Sequence, residues 1–137
     1  MSEPLKSYFD QYGWAYEEER PDYFRTGFHG AGTYFDIHVR SLREWVFFYI
    51  NPFVSPMDPV EHQGNFFHSL LEANHQMNLA KFCLDSRGNV SLCVEAPRKE
   101  LDYTYFEDAI GAMSHYAELY FPLFQEQIAD QKDDGAA

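Results

Sequence analysis

The run Trp45-Val46-Phe47-Phe48-Tyr49-Ile50 constrains the fold more than any other part of the chain. Aromatic and β-branched side chains fit a pleated strand, and the run is far too short to span a bilayer. Successive side chains of a strand point to opposite faces. Trp45, Phe47 and Tyr49 therefore line one face, and Val46, Phe48 and Ile50 line the other. Neither face can be left in water without cost. One should meet helices. The other should meet a neighbouring element or a second subunit.

The flanking sequence supplies the rest of a sheet. Residues 33–40 alternate strictly, with Phe35, Ile37 and Val39 on one side and Tyr34, Asp36, His38 and Arg40 on the other. That alternation predicts one buried and one wet face. Residues 23–29 read as a strand weakened by Gly27, and Gly30-Ala31-Gly32 joins the two. Residues 41–43 turn the chain into the aromatic strand. Residues 51–58 contain Pro52 and Pro56 and are predicted to be a loop, because proline removes backbone donors. Residues 79–84 and 90–94 form a hairpin around Asp85-Ser86-Arg87-Gly88-Asn89. Placing Phe82 and Leu84 with Val90, Leu92 and Val94 requires a connection of three or five residues.

Three segments carry helical spacing. In residues 2–12, Leu5, Tyr8, Phe9 and Tyr12 share a face, Ser2 is the expected cap, and Gly13 is the expected left-handed stop. A second helix is expected to start at Asp58-Pro59-Val60-Glu61, with Asp58 as cap and Pro59 at the first helical position. It runs to about Asn74 or Met77, with Phe66, Phe67, Leu70, Leu71 and Met77 inward. The last helix starts near Asp102 or Thr104, where Thr104 to Glu107 fits a capping box. Its stripe is Phe106, Ile110, Met113, Ala117, Tyr120, Phe124 and Ile128. Pro122 predicts a kink or break, and residues 130–137 are expected to fray. The element order is α-β-β-β-α-β-β-α, an α+β fold with a mostly antiparallel five-stranded sheet and helices packed on it. The 137 residues are read as one domain, ordered over about 3–128.

Several of these stretches together resemble the YbjN family, whose fold is that of type III secretion chaperones. Gly13-Trp14-Ala15-Tyr16 resembles the family's passage from first helix to sheet. Asn74 sits where the family often ends its second helix on an asparagine. Lys81-Phe82-Cys83-Leu84-Asp85-Ser86-Arg87-Gly88-Asn89-Val90 resembles its hairpin, and residues 117–124, ending Tyr120-Phe121-Pro122-Leu123-Phe124, resemble the close of its last helix. The resemblance covers most of the chain, Leu5 to Gln125, and consists mainly of core and turn positions. It implies the fold, a bacterial protein and a habit of dimerising. It implies no catalytic residues. Residues 51–58 are richer in proline, and residues 45–50 richer in aromatics, than the family pattern.

The formal net charge is −12. Such a surface repels phosphate backbones and anionic membranes, so neither nucleic acid nor membrane is an expected partner. Residues 1–12 carry no apolar stretch suited to a signal peptide. The two cysteines, Cys83 and Cys93, form no CxxC and no zinc spacing with histidine. A cytoplasmic protein with reduced thiols is the expectation.

Chemistry-bearing clusters are few. His68, Glu72 and His75 share one helical face and could offer two imidazoles and a carboxylate to a metal. The same spacing turns them away from Phe67, Leu70 and Leu71, so a solvated face is the simpler account, and no metal or cofactor is expected. Cys83 and Cys93 project from the hairpin face opposite Phe82 and Leu92. They are read as inert thiols, Lys81 being the one basic residue near them. A three-residue connection would set Cys83 directly opposite Cys93, and a five-residue one would set Cys83 opposite Ser91. Asn74, on the apolar side of its helix, is expected to bond backbone and fix the start of the next strand. Glu17-Glu18-Glu19 is read as a solvated charge run. No GxSxG, phosphate loop or dinucleotide fingerprint occurs.

The remaining functional signal is Trp45, Phe47 and Tyr49, a partner-binding surface if no helix covers them. The competing account is that a helix, or the proline segment with Phe53 and Val54, covers them within the chain. The expected function is a non-enzymatic protein-binding module, chaperone-like or regulatory and homodimeric. The alternatives are a metal- or small-ligand-binding protein or enzyme using His68, Glu72 and His75, and a structural subunit of a larger assembly.

Overall fold

The aromatic strand lies inside an antiparallel sheet of six strands, with three helices on one side of it. The computed structural model describes residues 1–56 and 63–136, with side chains as far as Asp130. The chain begins with α1 (Ser2–Tyr12), continues through β1 (Glu17–Arg20), β2 (Tyr23–Gly30), β3 (Thr33–Leu42) and β4 (Trp45–Val54), and crosses to α2 (Gly64–Gln76). It ends with β5 (Lys81–Leu84), β6 (Val90–Pro97), a 3-10 turn at Arg98–Glu100, and α3 (Tyr103–Ala136). The strand order is β1-β2-β3-β4-β6-β5, so β4 and β6 meet at the centre. No helix among the described residues is long and apolar enough to cross a membrane.

The α+β class and the antiparallel sheet agree with the sequence reading, but the strand count is six. The added strand is β1, in which all four residues are exposed. An edge strand wet on both faces has no hydrophobic alternation to detect. Its charges suit an edge, because they discourage pairing with another chain. Glu18 meets Lys6 of α1 at 3.2 Å and Glu19 meets Arg25 of β2 at 3.4 Å, so the glutamate run braces the edge from both sides.

β4 also runs further than expected, to Val54, through Pro52. The register with β6 shifts between Ile50 and Val54, and proline is tolerated at such an irregularity. Phe53 and Val54 then turn into the core, where Phe53 stacks on Phe82 with ring centroids 5.4 Å apart. The proposed start of the second helix, with Asp58 as cap, lies outside the described residues; described α2 begins at Gly64.

The core fills the space between sheet and helices. Phe35, Ile37 and Val39 of β3, Val46, Phe48 and Ile50 of β4, and Leu92 and Val94 of β6 are all buried. Phe106 of α3 meets Phe48 and Phe9 edge-on, tying α3 and α1 to the sheet. Phe66 of α2 meets Phe124 of α3 in the same way. Within α2, Phe66, Leu70 and Ala73 face inward, whereas Leu71 is 69% exposed, contrary to its assignment to the core. The expected α3 stripe is buried at Phe106, Ile110, Met113, Ala117 and Phe124, while Tyr120 and Ile128 are half-buried.

Helix ends differ in detail. Gly13 is left-handed, with φ 89°, and its N–H bonds Phe9 O. Ser2 does not cap α1: its hydroxyl donates to Asp22 Oδ1 and accepts from the Asp22 N–H, both at 2.9 Å. That spends the side chain on the turn between β1 and β2. α3 is capped by Asp102, whose Oδ1 accepts from the Tyr105 N–H at 2.8 Å, not by Thr104. α3 continues through Pro122 without a break. The fraying expected from residue 130 concerns residues 131–137, whose side chains lie outside those described.

The open face of the sheet

All three helices pack on the side of Val46, Phe48 and Ile50. Trp45, Phe47 and Tyr49 point the other way, and among the described residues no helix covers them. Phe53 and Val54 of the proline segment do not cover them either, since both belong to the core. Trp45 is 44% exposed, and Phe47 and Tyr49 are half-buried by their neighbours on the same face.

Strand register assembles these neighbours. Arg25, His38, Tyr49, Cys93 and Lys81 lie in one row across five strands, through the pairs Arg25↔His38, His38↔Tyr49, Tyr49↔Cys93 and Lys81↔Cys93. A second row runs Tyr23, Arg40, Phe47 and Glu95. A third pairs Leu42, which is 52% exposed, with Trp45. Tyr23 and Leu42 escaped the sequence reading, because their place beside the aromatic strand depends on hairpin register. The two-residue turn at Arg43 and Glu44, with Arg43 at φ 59°, sets it.

The rows are tied by polar contacts. The His38 ring stacks on Tyr49 at 4.9 Å, nearly parallel, and its Nδ1 lies 2.7 Å from the Tyr23 hydroxyl. Burial lowers the His38 pKa, outweighing the opposite pull of Asp36, whose carboxylate is 3.8 Å from Nε2. The ring is therefore neutral at pH 7, and Nδ1 and the Tyr23 hydroxyl share one hydrogen bond. Tyr23 lies between the guanidinium groups of Arg20 and Arg40, each within 5.2 Å of its ring centre. Arg25 pairs with Asp36 at 2.5 Å, and Lys81 with Glu95 at 3.0 Å. Between the rows lies a shallow groove of about 200 Å³, lined by Arg40, Leu42, Phe47, Tyr49, Cys93 and Glu95. Such a surface offers flat aromatic contact area with paired charges around it.

The other candidates fall elsewhere. His68 and Glu72 pair at 2.5 Å on the exposed face of α2, with side chains 73% and 63% accessible. Among the described residues no three metal-ligating side chains converge, so His75 does not complete a site with them. Asn74 clamps the edge of β5: its Nδ2 donates to Phe82 O at 3.0 Å, and its Oδ1 accepts from the Phe82 N–H at 2.7 Å. The hairpin takes the five-residue connection, with Leu84 opposite Val90 and Cys83 opposite Ser91. Leu84, expected inward, is 46% exposed at the sheet edge. Cys83 is exposed and Cys93 buried, with their Sγ atoms 3.6 Å apart.

Comparison with solved structures identifies the fold. The chain is similar to YbjN from E. coli, with a TM-score of 0.63 at 12% identity, covering 88% of this chain and 90% of that one. It is similar to the Yersinia pestis type III secretion chaperone SycH, solved in complex with a stable fragment of YscM2, with a TM-score of 0.58 at 10% identity over 85% and 95% of the two chains. It also matches a chain of the heterodimeric ExoU–SpcU complex from the type III secretion system of Pseudomonas aeruginosa, with a TM-score of 0.57 at 16% identity over 88% and 93%. The protein thus has the YbjN-like, type III secretion chaperone-like fold. No family model and no curated protein matches the sequence.

Proposed function

We propose that this protein is a non-enzymatic, chaperone-like or regulatory module that binds other polypeptides and works as a homodimer. The observation that carries the reading is the aromatic row of β4, which no helix covers among the described residues. Aromatic side chains concentrate binding energy in protein interfaces, and an apolar row ringed by charged side chains has the anatomy of an interface core with a polar rim. The fold supports the same reading, since solved relatives in shape include a chaperone bound to a fragment of another protein and a heterodimeric secretion complex. Trp45, Phe47 and Tyr49 are the residues we assign to the partner surface.

The test is Phe47→Asp. Phe47 sits mid-strand on the open face, so the substitution places a carboxylate in the row without touching the helix-side core. Light scattering after gel filtration is expected to show a wild-type mass of twice 16.1 kDa. The variant is expected to fold, by circular dichroism, and to elute as a monomer or lose capture of the partner seen by native pull-down. A folded variant with wild-type mass and wild-type capture removes β4 as the interface.

A further inference from the structure

The open face carries a second feature that protein binding does not use. Cys83 of β5 and Cys93 of β6 approach diagonally across the last strand pair, where Cys83 faces Ser91 and Cys93 faces Lys81. Their sulfurs are 3.6 Å apart, and Cys93 Sγ also lies 3.7 Å from Lys81 O. Cys83 is exposed and Cys93 is buried. Lys81, the one basic residue that the sequence places near the two thiols, stands opposite Cys93 in this register.

We infer that Cys83 and Cys93 form a reversible dithiol–disulfide site, in which Cys83 attacks a hydroperoxide and Cys93 resolves the product. The charges around the pair suit these roles. The Cys93 thiol hydrogen-bonds to Cys83, and this contact, with the Lys81 ammonium, pulls the Cys83 thiol down to about 6 against the opposing effect of burial. The same contact and burial push Cys93 up, so it keeps its proton. Glu95, held by Lys81 at 3.0 Å, is the carboxylate facing the pair and opposes the lysine in part. The exposed sulfur is thus the thiolate, and the buried one its proton-bearing neighbour.

The chemistry balances with a hydroperoxide as the oxidant. The Cys83 thiolate attacks one peroxide oxygen, the O–O bond breaks, and the leaving hydroxide or alkoxide takes up a proton. Cys83 becomes a sulfenic acid. The Cys93 sulfur then attacks Cys83 Sγ, the S–O bond breaks, and water leaves with the Cys93 proton. Two thiols have lost two electrons and the peroxide has gained them. Closure brings the sulfurs from 3.6 Å to a bonded separation of about 2.05 Å across a diagonal pair at the sheet edge. A dithiol reductant reverses it.

Two measurements on the full chain decide the matter. Hydrogen peroxide acting on the reduced protein is expected to remove the two thiol hydrogens, with peptide mapping joining Cys83 to Cys93 in one chain. In Cys93→Ala the reaction is expected to stop at a sulfenic acid on Cys83, which dimedone traps. Iodoacetamide is expected to alkylate Cys83 at pH 6 about tenfold faster than an ordinary thiol: a roughly hundredfold greater thiolate fraction is offset roughly tenfold by weaker nucleophilicity. Oxygen addition without a bridge, a bridge between chains only, or equal ordinary alkylation of both thiols in the wild type would overturn the assignment.

Discussion

His38 shows how one side chain can make the open face sensitive to pH. It is stacked on Tyr49 and bonded to Tyr23, with a side chain only 17% exposed, and its folded pKa lies below the ordinary value of 6.5. Below pH 6.5 the unfolded chain binds a proton that the folded chain refuses. Stability therefore rises with pH in that window, is fully present above 6.5, and is lost as pH falls toward the folded value. Urea unfolding of wild type and His38→Gln between pH 5 and 7 is expected to diverge on the acid side, where wild type weakens by up to about 1.4 kcal/mol per pH unit. Parallel curves would remove the coupling. Gly27 makes the complementary point about steric space. It looks like a flaw in β2, yet a Cβ there would stand 2.5 Å from the Phe35 carbonyl oxygen and against the Tyr34 ring. The strand persists because the tyrosine lies over the gap that glycine leaves.

At the scale of elements, α2 and β5 are joined by the Asn74 amide. β5 is an edge strand of four residues, and the outward-facing N–H and C=O of Phe82 would otherwise be unpaired protein groups. Asn74 satisfies both, as an adjacent strand would. Asn74→Leu keeps the apolar contact and strands the two backbone groups. It is expected to cost about 1–3 kcal/mol in the urea midpoint and to speed amide exchange at Phe82. An unchanged midpoint with unchanged exchange would show that water replaces the amide without loss. The role of Asn74 was readable from sequence, because a polar residue on the apolar side of a helix must find partners. β1 was not, because a strand exposed on both faces lacks the alternation by which strands are recognised. Pro122, expected to kink or break α3, lies inside a continuous helix. It forgoes one backbone bond and disfavours helix, but Phe121 and Phe124 on either side are anchored against Phe35, Phe53 and Phe82. Tertiary packing outweighs a local penalty of about 3 kcal/mol.

For the whole molecule the charge matters most. A formal net charge of −12 repels itself in the compact state and more so in a dimer. The open face departs from the average, since Arg20, Arg25, Arg40 and Lys81 gather there with Glu19, Asp36 and Glu95 as partners. Local pairing on this face suits it to meet another surface, while the remaining acidity favours solubility. Raising ionic strength from about 0.01 M to about 0.15 M shortens the screening length from roughly 30 Å to roughly 8 Å. Both the thermal midpoint and the dimer fraction are expected to rise, measured by calorimetry and by sedimentation. A fall in both would mean that the surface ion pairs outweigh the net repulsion.

The residues alone specify the class of fold, the two-faced character of β4 and a hairpin connection of three or five residues. These follow from local rules: period, proline, turn chemistry and charge. Tertiary structure alone decided that all three helices take the same side of the sheet, leaving Trp45, Phe47 and Tyr49 open. That outcome depends on which strands become neighbours, and neighbour choice is set by how distant apolar faces bury one another. No short stretch of residues encodes that.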